Sequence, residues 1–486
     1  MANPFTTLVV AGRVAACALT CSAPTAWAGQ TQDTARPALF IAGASLIDPA
    51  AGSTSSSQDI LILEGRIAAI TPSGAARPPE GARRIDASGR FAMAGLIDIH
   101  AHLGEGGVLP SDETTRARAL RQFLRYGVTS LFIPGATGAN DAEFSPLREH
   151  CRTTAGQCPD LYGAGSLITA PGSHPISTIF NLPGDTPAVV LEALGVTMLT
   201  PDADIDRLMD AKKAAGVDAI KIVIEDGPPP WYPKPRLGDA QIRQLVSAAH
   251  ARSLRVFAHI STSEHVRIAL DAGVDAVMHG PTDRLPDDLV RRMAEQKMTL
   301  VTTFALYDGI LTWARGQRET DPYALAGVEP SAVESLTAPP FLAAPAEDEA
   351  TALGYLAKAA DNLKRAAAAG VPIALGTDVG NPFVFPGYAA HEELSWMVRA
   401  GLSPAQALQA ATLGGAAFLD RQDQVGRLAP GYRADILLLA DNPLLTIENS
   451  RTIVAVIADG SRVEGVVSVA PRPVRPALAL ASDHVA

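Results

Sequence analysis

Between about residues 95 and 420, short apolar runs rich in β-branched residues alternate with stretches whose apolar positions recur every three or four residues. The short runs end near His102, Gly135, Gly165, Ile224, His259, His279, Thr303 and Asp378, and between most of them lie segments such as Gln241-Ile-Arg-Gln-Leu-Val-Ser-Ala-Ala-His-Ala251, which has helical spacing. Eight strands, most followed by a helix, predict an α/β fold, a closed (β/α)8 barrel of the TIM type. An open, doubly wound parallel sheet uses the same alternation and is the structural alternative.

Outside this middle the texture changes. Leu39-Phe-Ile-Ala-Gly43 and Asp59-Ile-Leu-Ile-Leu-Glu64 precede it, and Gly431-Tyr-Arg-Ala-Asp-Ile-Leu-Leu-Leu-Ala440 and Ile453-Val-Ala-Val-Ile-Ala-Asp-Gly460 follow it, each short enough for a strand and several bounded by turn residues. Two strand-rich flanks around one long middle predict a small β-sandwich domain assembled from both ends, over residues 37–94 and 423–468, with the barrel over 95–422. The connections 170–208 and 306–350 are longer than a usual βα loop and are candidate lids, and the Pro- and Ala-rich tail 469–486 is predicted to be disordered.

Composition narrows the partners. The 486 residues are 47% hydrophobic and carry a formal net charge of -11, which disfavours nucleic acid and anionic membranes, because both need a basic patch. A small-molecule substrate is the expectation, with a homo-oligomer left open. Residues 1–28 read as a signal peptide: Arg13 is the lone charge before Asp33, residues 14–20 are apolar, and Ala26-Trp27-Ala28 is an A-x-A cleavage site. Beyond the leader no run reaches the roughly 20 apolar residues of a membrane helix, so a soluble periplasmic or secreted protein is expected. Cys17 and Cys21 fall in the leader, and Cys151 and Cys158 read as a small disulfide staple in an oxidising compartment, with two free thiols as the alternative.

His100 and His102 alternate in Gly95-Leu-Ile-Asp-Ile-His-Ala-His102, so their rings face one side of a strand. Taken alone, such a pair is as readily structural as metal-binding. His259 closes Leu254-Arg-Val-Phe-Ala-His259, His279 closes Val274-Asp-Ala-Val-Met-His279, and Asp378 closes Val371-Pro-Ile-Ala-Leu-Gly-Thr-Asp378. Four imidazoles and a carboxylate on one barrel rim are costly to bury without a shared partner, and nitrogen and carboxylate donors suit zinc, or manganese, cobalt or iron. Lys221, in the apolar strand Val217-Asp-Ala-Ile-Lys-Ile-Val-Ile-Glu225, needs either an inward carboxylate or loss of its charge. A neutral amine there could take up carbon dioxide as a carbamate. His150, His250, His265 and His484 lie in helical or tail context and read as non-ligands, whereas His391 reads either as a support for Asp378 or as a helix-surface residue.

The order His-x-His, Lys, His, His, Asp at the ends of strands 1, 4, 5, 6 and 8 resembles the amidohydrolase superfamily, over nearly the whole mature chain. Gly376-Thr-Asp378, Ala400-Gly-Leu-Ser-Pro-Ala-Gln-Ala-Leu-Gln-Ala-Ala-Thr412 and Gly426-Arg-Leu-Ala-Pro-Gly-Tyr-Arg-Ala-Asp435 extend the likeness. Asp218-Ala-Ile-Lys-Ile222 and His391-Glu-Glu-Leu394 are similar to the imidazolonepropionase-like and prolidase-like branches, in which the strand-4 lysine is carboxylated. The resemblance implies two divalent metal ions: one on His100, His102 and Asp378, the other on His259 and His279, with carboxylated Lys221 between them. Deaminase branches usually carry a glutamate three positions after the strand-5 histidine, and here that position is Thr262.

A water shared by two metals would be acidified, and Asp378 would serve as the base that passes its proton to the leaving group. The expected reaction is hydrolysis of an amide or peptide-like C–N bond, in a dipeptide, an N-acyl amino acid or a cyclic amide. A mononuclear cyclic-amide hydrolase or deaminase, a lactone, carbamate or organophosphate ester hydrolase, and a non-catalytic scaffold are the alternatives. His174 and Tyr307 are candidate substrate-binding residues, and Trp231 and Tyr232 candidate pocket aromatics; each is read equally well as an ordinary loop or packing residue.

Overall fold

A computed structural model of the chain describes residues 37–104, 113–136, 139–227, 233–317, 321–337 and 349–467. The leader at 1–28, the tail at 469–486 with His484, Trp231 and Tyr232, and the Pro-rich part of the 306–350 connection lie outside the described residues.

The first flank supplies β1 (Leu39–Asp48), β2 (Ser53–Leu63), β3 (Arg66–Pro72), β4 (Arg83–Asp86) and β5 (Phe91–Ala94). The middle supplies β6 (Leu96–Asp98), β7 (Val128–Ile133), β8 (Asp160–Gly163), β9 (Leu167–Thr169), β10 (Val196–Met198), β11 (Ala219–Val223), β12 (Arg255–His259), β13 (Ala276–Met278), β14 (Thr299–Thr302) and β15 (Ile373–Leu375). The last flank adds β16 (Ile436–Leu439), β17 (Ile453–Ala458) and β18 (Ser461–Arg462).

β6, β7 and β8 pair in parallel, as do β11 to β15 in sequence order. Two backbone bonds join the arcs into a ring: Asp218 N donates to Gly163 O at 2.8 Å, and Ile99 N to Leu375 O at 3.0 Å. Eight strands thus close the barrel. Its interior is filled by one residue from each strand, Ile97, Phe132, Tyr162, Ala219, Phe257, Ala276, Val301 and Ala374, which belong to one buried cluster. Phe418, Leu419 and Val425 join that cluster and stop the N-terminal end, with the Phe257 and Phe418 rings 4.1 Å apart. A packed floor leaves the opposite end, where the strands finish, for chemistry.

The helices cover the outside for the reason their spacing suggests. In Asp239–His250, Ile242, Leu245, Val246 and Ala249 fall on one face and are buried. The 170–208 connection departs from a plain loop: it carries β10, which pairs with β9 just before it, and β9 pairs with β11 at Ile168 and Ile222, so the sheet extends beside the rim.

Both flanks meet in a β domain. β16 pairs with β5, and the order β18-β17-β16-β5-β1-β2-β3, with β4 beside β1, makes one sheet around a core that includes Ile41, Ile60, Ile67, Ile436 and Ile457. Arg433 ties this domain to the barrel, its guanidinium meeting Asp435 at 2.9 Å and Asp160 of β8. Cys151 and Cys158 are disulfide-bonded, their Cα atoms 5.0 Å apart. No helix among the described residues is long and apolar enough to cross a membrane.

Candidate metal centre

The regular strand β6 stops at Asp98, so His100 and His102 sit just past it, flanking Ala101, which bridges Val379. His102 N donates to Val379 O at 2.8 Å, and Asp378 N to His100 O at 2.7 Å, lacing the ends of the first and eighth strands together. The approach is tight enough to require glycine: a Cβ on Gly376 would lie 2.7 Å from the His100 Cβ, and one on Gly380 2.9 Å from the His102 Cβ. Below, the Asp98 carboxylate accepts from Thr377 Oγ1 at 2.6 Å and from His100 N at 3.1 Å. Asp378 and His279 are held in the left-handed region, with φ of +59° and +77°. Each such backbone costs on the order of 1–3 kcal/mol and persists only where surrounding structure enforces it.

These turns bring the side chains together. Nε2 of His100 and Nε2 of His102 lie 3.3 and 3.2 Å from Asp378 Oδ1, and His279 Nδ1 is 3.9 Å from Oδ2. Two donors on one tetrahedral ion, with bonds of about 2.0–2.1 Å, stand about 3.3 Å apart, so the two histidines and Asp378 match a common cation. The rings continue in a chain: His100 to His279 at 4.7 Å between centroids, His279 to His259 at 4.5 Å, and His259 to His174 at 4.4 Å. Burial, reinforced by neighbouring positive charge, holds His100 and His279 well below the usual imidazole range, and burial takes His259 down to about 3. Neutral imidazole is the form a metal binds. The His100 Nδ1 is buried with no hydrogen-bond partner among the described residues, whereas His102 Nδ1 meets Ala136 O at 2.7 Å and His279 Nδ1 meets Thr303 Oγ1 at 3.0 Å. Both the donor set and its spacing therefore fit a divalent metal, with His100, His102 and Asp378 as one group and His259 and His279 beside it.

Lys221 projects from β11 into the barrel and is fully buried, with its Nζ 2.7 Å from Met278 Sδ. Among the described residues no carboxylate lies within ion-pairing distance of it, and burial lowers its pKa to about 7 against the pull of Asp378 and Glu225. The salt-bridge alternative for Lys221 is thus not what the structure presents, and an amine at that pKa is partly unprotonated at neutral pH.

Glu225 is the residue that sequence reasoning missed. It is 3% exposed, with Oε2 2.9 Å from His259 Nε2 and Oε1 3.4 Å from His174 Nδ1. His174 lies flat on His259, at an interplanar angle of 19°, and its Nδ1 is also 2.7 Å from Thr178 Oγ1. His174, Glu225 and His259 form a second group whose atoms could hold a cation. A signal did exist: Glu225 is four residues from Lys221, and strand periodicity puts both on one face.

Other candidates fall elsewhere. Tyr307 packs in the core outside the ligand cluster, donating its hydroxyl to Gly280 O at 3.1 Å, next to the strained His279. His391 neither supports Asp378 nor lies on the surface: it is buried between Ser450 Oγ and Tyr126 O, at 2.9 Å from each. Thr262 caps the helix Ser263–Ala272, and His265 of that helix meets Asp226 at 3.0 Å.

A closed (β/α)8 barrel with histidines and carboxylates gathered at the C-terminal ends of its strands defines the class of protein. Within that class the chain belongs to the Amidohydrolase family, whose family model matches residues 91–463. An adenine deaminase of Bradyrhizobium sp. ORS 278 is 25% identical over 414 residues, 83% of this chain but 55% of that protein, so the chain spans about half the length of that relative. An imidazolonepropionase of Saccharopolyspora erythraea is 26% identical over 400 residues, 78% of this chain and 86% of the relative. The crystal structure of a candidate prolidase from Bifidobacterium longum superposes with a TM-score of 0.69 and 27% identity, covering 90% of this chain and 97% of that one.

Proposed function

We propose that the protein is an exported, metal-dependent amidohydrolase that cleaves an amide or peptide-like C–N bond in a small molecule: a dipeptide, an N-acyl amino acid or a cyclic amide. The observation that carries this reading is the convergence of His100, His102 and Asp378 on one side, and His259 and His279 on the other, upon Lys221, a buried amine without an ion-pair partner among the described residues. Carboxylated, Lys221 would become the oxygen ligand shared by two ions. Bound divalent ions, zinc foremost, would supply Lewis acidity toward a carbonyl and toward water.

The protein's own groups provide the rest. Asp378, beside both His100 and His102, would take a proton from the attacking water on a carboxylate oxygen and deliver it to the departing nitrogen. Met278 and the apolar barrel layer under Lys221 exclude water from the amine. Similarity to an imidazolonepropionase and to a candidate prolidase supports a C–N bond in a cyclic or dipeptide-like substrate. The adenine deaminase likeness supports a second reading, release of ammonia from an aminated heterocycle, against which stands Thr262.

Export is supported by the A-x-A site at Ala26-Trp27-Ala28 and by the Cys151–Cys158 bond. Sequencing the protein from the periplasmic or culture fraction should find Gly29 at its N-terminus. For the activity, zinc-loaded protein is screened against dipeptides, N-acyl amino acids, cyclic amides, lactones and adenine, with metal content measured in parallel. Amide cleavage with two metals per chain is the expected result. Turnover confined to lactones, or ammonia released from adenine alone, would overturn it.

A further inference from the structure

Glu225 faces the second half of the centre, and two roles are open to it: ligand of an ion, or support for a ligand. The distances decide. The contacts of Asp378 with His100 and His102, 3.3 and 3.2 Å, have the spacing of donors around one ion. The contact of Glu225 with His259, 2.9 Å, is shorter and has the length of a charge-assisted N–H···O hydrogen bond. The neighbouring histidines repeat the device: His102 has Nδ1 engaged by the Ala136 carbonyl and His279 has Nδ1 engaged by Thr303, which leaves Nε2 of each for a metal.

We propose that Glu225 is a positioning residue for the strand-5 histidine: its carboxylate accepts the Nε2–H of His259, fixes that tautomer, and so presents Nδ1 to the second metal, without being a ligand itself. The inference rests on the two-metal reading above. Glu225 is buried, and a buried carboxylate is costly unless its oxygens are engaged; Oε2 takes His259 and Oε1 faces His174. His174, stacked on His259 and pinned through Thr178, closes the other side of the ring. His259 is thereby held at one edge and one face.

The test is a competition titration of metal-free protein with zinc against a chromophoric chelator, for wild type, Glu225→Ala and Glu225→Gln, with His279→Ala marking the affinity of the first site alone. In wild type two equivalents bind. Glu225→Ala should weaken the second equivalent about 10–100-fold and the first by less than about threefold, the range found for lost supports of metal-bound histidine. Glu225→Gln keeps an acceptor oxygen and should recover all but a few-fold of the loss. Retention of the first site serves as the control for folding. Abolition of the second equivalent in both variants would make Glu225 a ligand and overturn the proposal, as would equal losses at both sites or none in Glu225→Ala. A wild-type protein that takes up one metal would instead overturn the two-metal reading itself.

Discussion

Asp378 Oδ1 stands 3.2 Å from Nε2 of His102, on a residue whose φ of +59° turns its carboxylate back over the barrel mouth. That one oxygen is also shared with His100, while Oδ2 looks toward His279. A carboxylate so placed can join in ligation and still move a proton. Asp378→Asn keeps the shape and the oxygen but cannot accept the proton at carboxylate strength. The turnover number should fall by about 10²–10⁴ with KM changed only a few-fold. Steady-state kinetics on variant protein of verified metal content checks this, and activity within tenfold of wild type would remove Asp378 from the proton path.

Lys221 should behave as an amine whose burial serves ligation more than stability. Lys221→Met replaces it with an apolar chain of similar length beside Met278, and removing a buried amine that has no ion-pair partner among the described residues should leave thermal stability equal or higher. Metal content should drop from two ions per chain toward one. Reconstitution of metal-free wild type should be promoted by bicarbonate, and that of the variant should be indifferent to it. Two tightly bound ions in Lys221→Met would rule out the carbamate.

The candidate metal-binding side chains could be picked out of the sequence because a barrel places function where strands end, and His100, His102, His259, His279 and Asp378 each close or follow an apolar run. Glu225 was not, for a physical reason. The regular pairing of β11 with β12 ends at Val223, and Glu225-Asp226 before Gly227 has the texture of a solvated turn, although Ile224 N still donates to His259 O at 3.1 Å. β9 and β10 escaped notice because three residues each are too few to show a period. For Tyr307, distance from a strand end says nothing of which helix face it occupies; in Phe304–Ala314 it falls among the buried residues, which is the packing alternative. The barrel, by contrast, follows from the alternation of periods, which many residues report together.

The link between Asp98 and Thr377 should matter for both stability and binding. Thr377 Oγ1 donates to Asp98 Oδ2 at 2.6 Å, and Thr377 N lies 3.2 Å from Oδ1, so one buried carboxylate staples the first strand to the eighth next to the candidate ligands His100 and Asp378. Thr377→Val keeps the shape and leaves an acceptor unsatisfied, which costs about 1–3 kcal/mol. Denaturant unfolding of the metal-free protein should show that loss, and zinc titration should show weaker binding at the site of His100 and Asp378. A stable variant with unchanged zinc affinity would mean that the backbone bonds alone hold the two strands in register.

Glu393 gives a pH signature away from the ligands. It lies in the helix Tyr388–Arg399, wholly buried, with Oε2 accepting from Ala305 N at 2.8 Å. Burial pushes its carboxyl up to about 8 from 4.5, the bonds from Thr302, Ala305 and Phe304 offsetting only part of the cost. Because the folded pKa is the higher one, the unfolded chain releases this proton first as pH rises. The group's contribution to stability is therefore full below about pH 4.5 and is lost progressively as pH rises through about 8. Glu393→Gln has no proton to lose and should remove this component, so that the stability difference between variant and wild type shifts toward the variant by a few kcal/mol, an order-of-magnitude figure, across that window. Urea unfolding of both metal-free proteins from about pH 5 to 9 measures it. Parallel pH profiles would show that Glu393 is ionised in the folded protein, compensated by its backbone donors.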